Sequence, residues 1–252
     1  MRKDPEIQTS FLRIKQGIRR VIDLIYPRFC VFCHSKLNSN SDYNLCSQCA
    51  LEINPIKAPF CLKCGAKLDQ LSQIRYNGCN RCSNKKYHFD QVLSACKYKG
   101  MVKHCIHLFK YKRKRKTKNI LSDILIRFLN ENFCPKNIDL ITAVPLHKHK
   151  LRDRGFNQSD LIADKISTAL GIESSLDNLC RIKKTVSQVT LNAQQRQLNI
   201  LGAFSCKNPE EFKNKRILLI DDIFTTGSTL DECARVLKQS GAKEVTCLTI
   251  AR

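Results

Sequence analysis

Acidic residues are scarce in this 252-residue chain, which has 22 Asp and Glu against 44 Lys and Arg and a formal net charge of +22. Such a field favours polyanions: nucleic acid, anionic lipid or phosphorylated small molecules. The compositional bias of an AT-rich genome, which inflates Lys and Asn, is the alternative explanation. Long apolar runs are also missing. We therefore expect no transmembrane segment.

Two further kinds of pattern are absent. The first ten residues are polar, and no short apolar core with a small-residue cleavage site follows them, so the pattern of a signal peptide is lacking. We expect the chain in a reducing cytoplasm, where its fifteen cysteines would form no disulfide framework. Neither the P-loop pattern nor GxGxxG occurs, which excludes those two phosphate-binding motifs.

Composition divides the chain into three regions. Residues 1–26 contain an amphipathic helix, because apolar residues from Ile7 to Ile25 recur at spacings of three and four. This helix either packs on the following domain or lies on a membrane surface, so a peripheral position at the inner face of the membrane stays open. Residues 27–88 are rich in cysteine, and residues 89–252 alternate strand-like with helix-like runs.

Four CxxC pairs lie within 53 residues, with twelve residues between the first two pairs and fourteen between the last two. Two such pairs complete a tetrahedral four-cysteine zinc site, which has no open position and is therefore structural. The spacing suits two sequential sites, although an interleaved cross-brace is also compatible with it. Redox thiols or buried apolar cysteines are the less favoured interpretations. The predicted ligands are Cys30, Cys33, Cys46, Cys49, Cys61, Cys64, Cys79 and Cys82.

The third region is predicted to form a mostly parallel α/β sheet flanked by helices. The strands are expected at QVLSACKY, DLITAVPL, Arg216–Phe224 and EVTCLTIA. The helices are expected at Met101–Lys110, at Asn119–Asn130, around Leu161–Leu170 and from near Leu230 to Gly241.

The segment ILLIDDIFTTGST, Ile217–Thr229, combines a buried strand, an acidic pair and a loop that opens a helix. Ligands of α/β sheets bind at the carboxyl ends of strands. There Gly227 allows close backbone approach, and N–H groups and hydroxyls can hold an anion. Asp221 and Asp222 would repel a phosphate, so we expect them to face a ribose diol with a divalent ion nearby. An ordinary capped helix is the plain alternative.

This segment resembles the phosphoribosyl pyrophosphate signature of type I phosphoribosyltransferases at all thirteen positions. The resemblance implies that Asp221 and Asp222 contact the ribose and that the loop holds the 5′-phosphate through Thr225, Thr226, Gly227, Ser228 and Thr229. A second site must take the pyrophosphate. The basic loop after DLITAVPL, with Arg152 and Arg154, suits it, unless that loop is simply a solvated surface.

Taken together, the cysteine pairs, VPLHKHKLRDRGFNQS, QVTLNAQQRQLNILGAF and the phosphate loop resemble the ComF family of competence proteins, from Tyr26 to Arg252. The resemblance implies a type I phosphoribosyltransferase-like fold preceded by a small double zinc-ribbon domain. It also implies two structural Zn²⁺ ions, Mg²⁺ with phosphoribosyl pyrophosphate, and a role in natural transformation beside an ATP-driven DNA translocase or other competence proteins.

The segment Lys97–Lys118 holds ten Lys and Arg and no acid, with Tyr98, Phe109 and Tyr111 among them. Cations for the backbone and aromatic rings for stacking are what binding of single-stranded DNA requires. A solvated surface loop is the alternative. The predicted DNA-binding residues are Lys110, Lys112, Arg113, Lys114, Arg115 and Lys116.

Three functional hypotheses remain at this point. The first is a competence protein that binds single-stranded DNA without sequence specificity and binds phosphoribosyl pyrophosphate. The second is an active phosphoribosyltransferase of unidentified acceptor, in which Asp221 and Asp222 stabilise positive charge on the ribose and Lys183–Asn199 closes as a lid. The third is a structural adaptor whose zinc ribbons bind a partner.

Overall fold

The computed structural model describes residues 27–37, 45–68, 78–80, 82–111, 117–185 and 192–252. The predicted N-terminal helix and the basic residues Lys112–Lys116 lie outside these ranges. The chain divides into two compact units, Met1–Ile53 and Asn54–Arg252. The boundary falls between the second and third CxxC pairs, so the second cysteine group belongs to the larger unit. The domain division predicted from the sequence differs, because it places both cysteine groups in one domain, residues 27–88. That division stays a prediction.

The smaller unit contains one described helix, α1 (Ser47–Leu51). The strands of the larger unit are β1 (Gln91–Cys96), β2 (Leu140–Ala143), β3 (Leu179–Arg181), β4 (Phe204–Cys206), β5 (Arg216–Ile223) and β6 (Glu244–Ala251). Its helices are α2 (Gly100–Tyr111), α3 (Thr117–Asn132), α4 (Lys148–Arg154), α5 (Gln158–Leu170), α6 (Ala193–Ile200) and α7 (Ser228–Gln239). No helix in the described ranges has the length and apolar character needed to cross a membrane.

Four strands form one sheet in the order β1-β6-β5-β2, and every neighbouring pair is parallel. The central strand β5 is a continuous apolar run whose residues Ile217–Ile220 are fully buried, as expected when both faces of a parallel sheet are covered. Helices α3 and α5 pack against the strands and each other, and α7 packs on β5 and β6. Because all four strands are parallel, their carboxyl ends share one edge. The predicted parallel sheet is confirmed.

The basic stretch 148–154, predicted as a loop, is the helix α4 instead. The imidazole of His147 caps its start by accepting a 3.3 Å bond from the N–H of His149. Gly155, with φ of 79°, ends it in the left-handed conformation. Its sequence KHKLRDR has a single apolar residue, so no periodicity predicts the helix.

A separate antiparallel pair, β3 and β4, was also not predicted. Each strand is only three residues long, too short for an alternation of polar and apolar residues to stand out. Helix α6 lies between these strands in the chain. It begins with a capping box in which Asn192 and Gln195 exchange side-chain to backbone hydrogen bonds.

Candidate functional site

Two adjacent carboxylates, Asp221 and Asp222, lie at the carboxyl end of the central strand β5. The strand is flanked by β6 and β2, so the acids stand in the middle of the sheet edge where α/β proteins bind ligands. The backbone N–H of Asp222 donates a 2.8 Å hydrogen bond to Oδ1 of Asp221. This bond holds the Asp221 carboxylate against the backbone of the next residue.

Side chains from two other elements hold the acidic pair. Lys110, in the last turn of α2, places its Nζ 2.6 Å from Oδ2 of Asp222. Gln158 and Ser159 begin α5, where Gln158 Nε2 donates to the same Oδ2 at 3.0 Å and Ser159 Oγ donates to Oδ1 of Asp221 at 3.4 Å. Asn157, as the N-cap of α5, accepts a 3.2 Å bond from the N–H of Ser159 and aligns the start of that helix.

The two carboxyl groups have different proton affinities. Burial, with the neighbouring charge of Asp222, raises the pKa of Asp221 to about 7. Burial also acts to raise the pKa of Asp222, but the Lys110 ammonium and the Gln158 amide outweigh it and hold that pKa below its ordinary value. Asp222 is therefore a carboxylate at neutral pH, whereas Asp221 titrates there.

The loop after the acids brings the chain into α7 through Gly227, whose φ of 85° favours glycine. A Cβ at this position would lie 2.9 Å from the ring of Phe224 and 3.1 Å from that of Tyr87. The hydroxyls of Thr226 and Ser228 lie 2.9 Å apart. The first N–H groups of a helix lack partners within it, so this loop presents both N–H and hydroxyl donors to an anion.

A cavity of about 230 Å³ joins the acids to the loop. Arg196 of α6 and Lys110 also border it, so carboxylates, hydroxyls and cations meet in one space. The cavity is lined by Lys110, Arg196, Asp221, Asp222, Ile223, Phe224, Thr225, Gly227, Ser228, Thr229 and Leu230.

A second cavity, of about 260 Å³, lies between α4 and the end of β3. Five of its lining side chains are basic or can become so, namely His147, His149, Lys150, Arg181 and Lys184. Burial and the charges of Arg181, Arg154 and Lys110 lower the pKa of Lys150. Lys150 of this cavity therefore lies close to Lys110 and Arg154, the two cations that also act on Asp222.

The two arginines predicted to bind pyrophosphate lie on α4. Arg152 is exposed, with its Nη2 3.4 Å from Nδ1 of His149. Arg154 is half-buried, and its charge helps to lower the pKa of Asp222. Neither borders the cavity at the acids, but Arg154 is near enough to act on it.

The eight predicted zinc ligands form two groups of four, in sequential order. Cys30, Cys33, Cys46 and Cys49 form the first cluster, and Cys61, Cys64, Cys79 and Cys82 form the second. Within each cluster the ligand atoms all lie within 4.8 Å of one another. The interleaved cross-brace that the spacing allowed is not the arrangement of this chain.

The spacing of the sulfur atoms fits zinc. Tetrahedral Zn–S bonds of about 2.3 Å place two sulfurs roughly 3.8 Å apart. The Cys33–Cys46 pair lies at 3.5 Å, and the second cluster has separations of 3.6, 3.6 and 3.7 Å. The thiols of each cluster would hold one Zn²⁺ as a structural crosslink.

Both clusters use the same hairpin. In the first, the N–H of Cys30 donates to the carbonyl of Ser35 at 2.8 Å, and His34 is left-handed with φ of 57°. In the second, the N–H of Cys61 donates to the carbonyl of Ala66 at 2.8 Å, and Gly65 has φ of 68°. The second cluster differs in burial, since all four of its cysteines lie in the core.

Two family models match the chain. Residues 21–83 match the double zinc ribbon domain, and residues 159–252 match the phosphoribosyl transferase domain. Competence protein F of Haemophilus influenzae is 30% identical over 227 residues, which span 88% of this chain and 96% of that protein. The chain belongs to the ComF family.

Other relatives agree with this assignment. The DNA utilization protein YhgH of Salmonella typhimurium is 28% identical, over 91% of this chain and 99% of that protein. Competence protein ComFC of Bacillus subtilis is 26% identical, over 90% of this chain and 96% of that protein. The predicted family and fold class are therefore confirmed: a phosphoribosyltransferase-type parallel sheet flanked by helices, with a double zinc ribbon before it.

Several residues that shape the site of this ComF-family chain were not predicted to do so. Gln158 and Ser159 end the segment VPLHKHKLRDRGFNQS, which carries part of the resemblance to the family without indicating what these residues do. Lys110 was predicted to bind DNA, but its ammonium lies against Asp222. Only the fold, which brings the end of α2 to the sheet edge, reveals that position.

Proposed function

We propose that this ComF-family protein acts in competence by binding single-stranded DNA without sequence specificity and by binding phosphoribosyl pyrophosphate with Mg²⁺, and so assists DNA import or handling. The names of its relatives, competence protein and DNA utilization protein, support the cellular role. The main observation in favour of this ligand is the acidic pair, which lies directly before a glycine-containing loop and the start of α7.

The chemistry of the site matches the parts of that ligand. The 5′-phosphate would accept bonds from the N–H groups and hydroxyls of Thr225–Thr229, at the positive end of the α7 dipole. The ribose hydroxyls would donate to Asp221 and Asp222, as carboxylates accept hydrogen bonds. The pyrophosphate, with Mg²⁺, would face Arg154 and the cations around the second cavity.

Lys110 has a defined part in this proposal. Its ammonium compensates the charge of Asp222, which is 10% exposed and would otherwise be costly to bury. Ribose hydroxyls and a divalent ion would take over as partners of the carboxylate. The ammonium would then be available to a phosphate oxygen of the same ligand.

A groove elsewhere on the larger unit supports DNA binding. Its volume is about 350 Å³, and among the described residues that line it four are cationic and none is acidic. Tyr98, 38% exposed, lies between Lys97 and Lys99 and offers a ring for stacking. Lys67 and Arg252 complete the charged lining. An exposed ring among cations suits a single strand without readout of base sequence.

An active phosphoribosyltransferase is the second candidate, favoured by one observation. Arg196 reaches the cavity from α6, within the segment Lys183–Asn199 that was predicted as a lid. A cation delivered by a lid is suited to charge that develops on a leaving pyrophosphate.

One experiment separates these functions. Binding of phosphoribosyl pyrophosphate is measured by calorimetry with and without Mg²⁺, in the wild type and in a variant with Asp221→Ala and Asp222→Ala. We expect Mg²⁺-dependent binding that the variant loses while it stays folded; equal affinities would contradict the ligand assignment. Steady release of pyrophosphate with a supplied base or nucleotide would identify an enzyme, and its absence would leave a ligand-binding protein.

A further inference from the structure

Tyr87 connects the second cysteine cluster with the phosphate loop. It follows the ligand Cys82 by five residues, and its Oη donates a 3.2 Å hydrogen bond to the carbonyl of Thr226. Its ring stacks on Phe89 at a centroid distance of 4.5 Å, and Phe89 meets Phe224 edge-on at 6.4 Å. Together with Phe224, the same ring crowds any side chain at Gly227, since it lies 3.1 Å from the position of a Cβ there. Tyr87 and Phe89, which follow the second cysteine cluster in the chain, therefore pack against the loop and help to set its shape.

The next residue holds the start of α7. The backbone N–H of His88 donates to Oδ1 of Asp231 at 2.6 Å, in the first turn of that helix. Asp231 in turn donates its own N–H to the carbonyl of Gly227 at 2.8 Å. Residues 87 and 88 thus contact the loop at Thr226 and the first turn of α7 at Asp231.

Arg252 forms a second connection between the cysteine cluster and the loop. Its Nη1 donates to the carbonyl of Cys64 at 2.6 Å and lies 3.2 Å from the Cys64 sulfur. The same guanidinium lies over the ring of Phe224, 5.7 Å from its centroid. A hydrogen bond from a cation to a zinc-bound thiolate is strong because both groups are charged. One side chain therefore contacts a zinc ligand and the residue that opens the loop.

The second ribbon is also joined to the sheet by its backbone. The N–H of Val92 in β1 donates to the carbonyl of Leu62, between two of the cysteines, at 2.7 Å. A Cβ on Gly65 would lie 2.6 Å from Oγ of Ser94 in the same strand. Contacts this close leave little freedom for the hairpin to move independently of β1.

We propose that the second zinc cluster is a structural part of the phosphate loop, with Tyr87 and Arg252 as positioning residues, so that zinc at this cluster and a 5′-phosphate at the loop stabilise each other's binding. The inference rests on the proposed binding of phosphoribosyl pyrophosphate. The first cluster, in the other compact unit, takes no part in it. Coupling of this kind is reciprocal, because each ligand must raise the affinity for the other by the same factor.

The test uses the full chain carrying Cys33→Ser and Cys46→Ser, so that only the second cluster binds zinc. Zinc affinity is measured by equilibrium competition with a chelator, with and without saturating phosphoribosyl pyrophosphate and Mg²⁺. We expect the ligand to raise zinc affinity severalfold. The substitution Tyr87→Phe, which removes one hydrogen bond and keeps the ring, should weaken ligand binding about two- to tenfold.

Ser240→Ala is the matched control, since the Ser240 hydroxyl also donates one hydrogen bond to a backbone carbonyl, that of Val236 at 3.0 Å, but at the end of α7 away from the loop. It should leave ligand affinity unchanged. Arg252→Gln should lower ligand affinity and reduce the effect of the ligand on zinc. The inference would be overturned if zinc affinity were the same with and without phosphoribosyl pyrophosphate and if Tyr87→Phe bound phosphoribosyl pyrophosphate as tightly as the wild type. Failure of the wild type to bind phosphoribosyl pyrophosphate would instead overturn the proposed function first.

Discussion

The buried carboxyl group of Asp221 lowers the stability of the folded protein at neutral pH. Its pKa is raised from 3.8 to about 7 by burial and by the charge of Asp222. An acid with a raised pKa in the folded state destabilises that state progressively as pH rises from the unfolded to the folded pKa. The site therefore keeps a carboxylate that stability alone would remove.

Asp221→Asn should raise the stability of the ligand-free protein. The amide oxygen can still accept the bonds from Ser159 and from the N–H of Asp222, while the charge is lost. The gain should grow from about pH 4 to pH 7, by about 1.4 kcal/mol per pH unit at most, and stay level above that. Thermal unfolding followed across this pH range measures it. A gain that falls as pH rises would contradict the sign of the shift.

Lys110→Met should destabilise the protein, because it leaves the Asp222 carboxylate without its ammonium partner. We expect a loss of about 3 kcal/mol at pH 7, as for one partner removed from a buried ion pair. The loss should shrink at low pH, where Asp222 is protonated in either protein. Lys103→Met, on an exposed position of the same helix, is the control. Denaturant unfolding of both variants gives the comparison, and equal midpoints would exclude the pairing.

At the scale of elements, long buried strands were predictable and short or polar elements were not. The run Ile217–Ile220 and the strand β6 are apolar enough to mark a parallel sheet directly. Helix α4 is set by a His147 cap and a left-handed Gly155 around a polar sequence, so no periodicity marks it. The Asp221–Asp222 pair could be placed because a known signature surrounds it, whereas Lys110 lies 112 positions before its partner Asp222 in the chain. Contacts of that kind depend on the tertiary fold.

The groove beside β1 should contribute to DNA affinity in a salt-dependent way. Substituting Lys67, Lys97 and Lys99 with Gln should weaken binding of single-stranded DNA. It should also lower the slope of log affinity against log salt by about 0.7 for each DNA phosphate that the variant no longer neutralises. Fluorescence anisotropy with oligonucleotides of mixed sequence, over a range of salt, measures both effects.

A matched control removes the same number of charges near the other end of the sheet, with Lys207, Lys213 and Lys215 changed to Gln. These lysines are exposed, and Lys215 directly precedes β5. Equal slopes for both triple variants would mean that net charge rather than the groove determines the affinity.

At the scale of the whole molecule, the contacts that the described residues make around the candidate ligand site all lie within the larger unit. The four-stranded sheet, the phosphate loop and the second cysteine cluster all belong to Asn54–Arg252. The division between units therefore separates two zinc clusters of similar local geometry but different surroundings. The first has its own hairpin and helix α1, whereas the second is built into a shared core.

A fragment of residues 54–252 should fold and bind phosphoribosyl pyrophosphate with an affinity within about twofold of that of the full chain, because it retains all of the described residues that shape the site. It should contain one zinc ion per chain. Calorimetry and zinc analysis of the purified fragment check both expectations. A fragment that begins at residue 89 instead lacks the second cluster and should fail to fold or lose the ligand; retention of full affinity would contradict the role assigned to that ribbon.

The boundary near residue 53 also has a consequence for variation among relatives. A gene that loses the first ribbon, or exchanges it for another module, would leave the ligand-binding chemistry intact. A gene that loses the second would not, because the core and the loop would be damaged together. Within this family we therefore expect natural diversity to collect at the first cysteine cluster, while the second changes only together with the tyrosine, the arginine and the glycine that it supports.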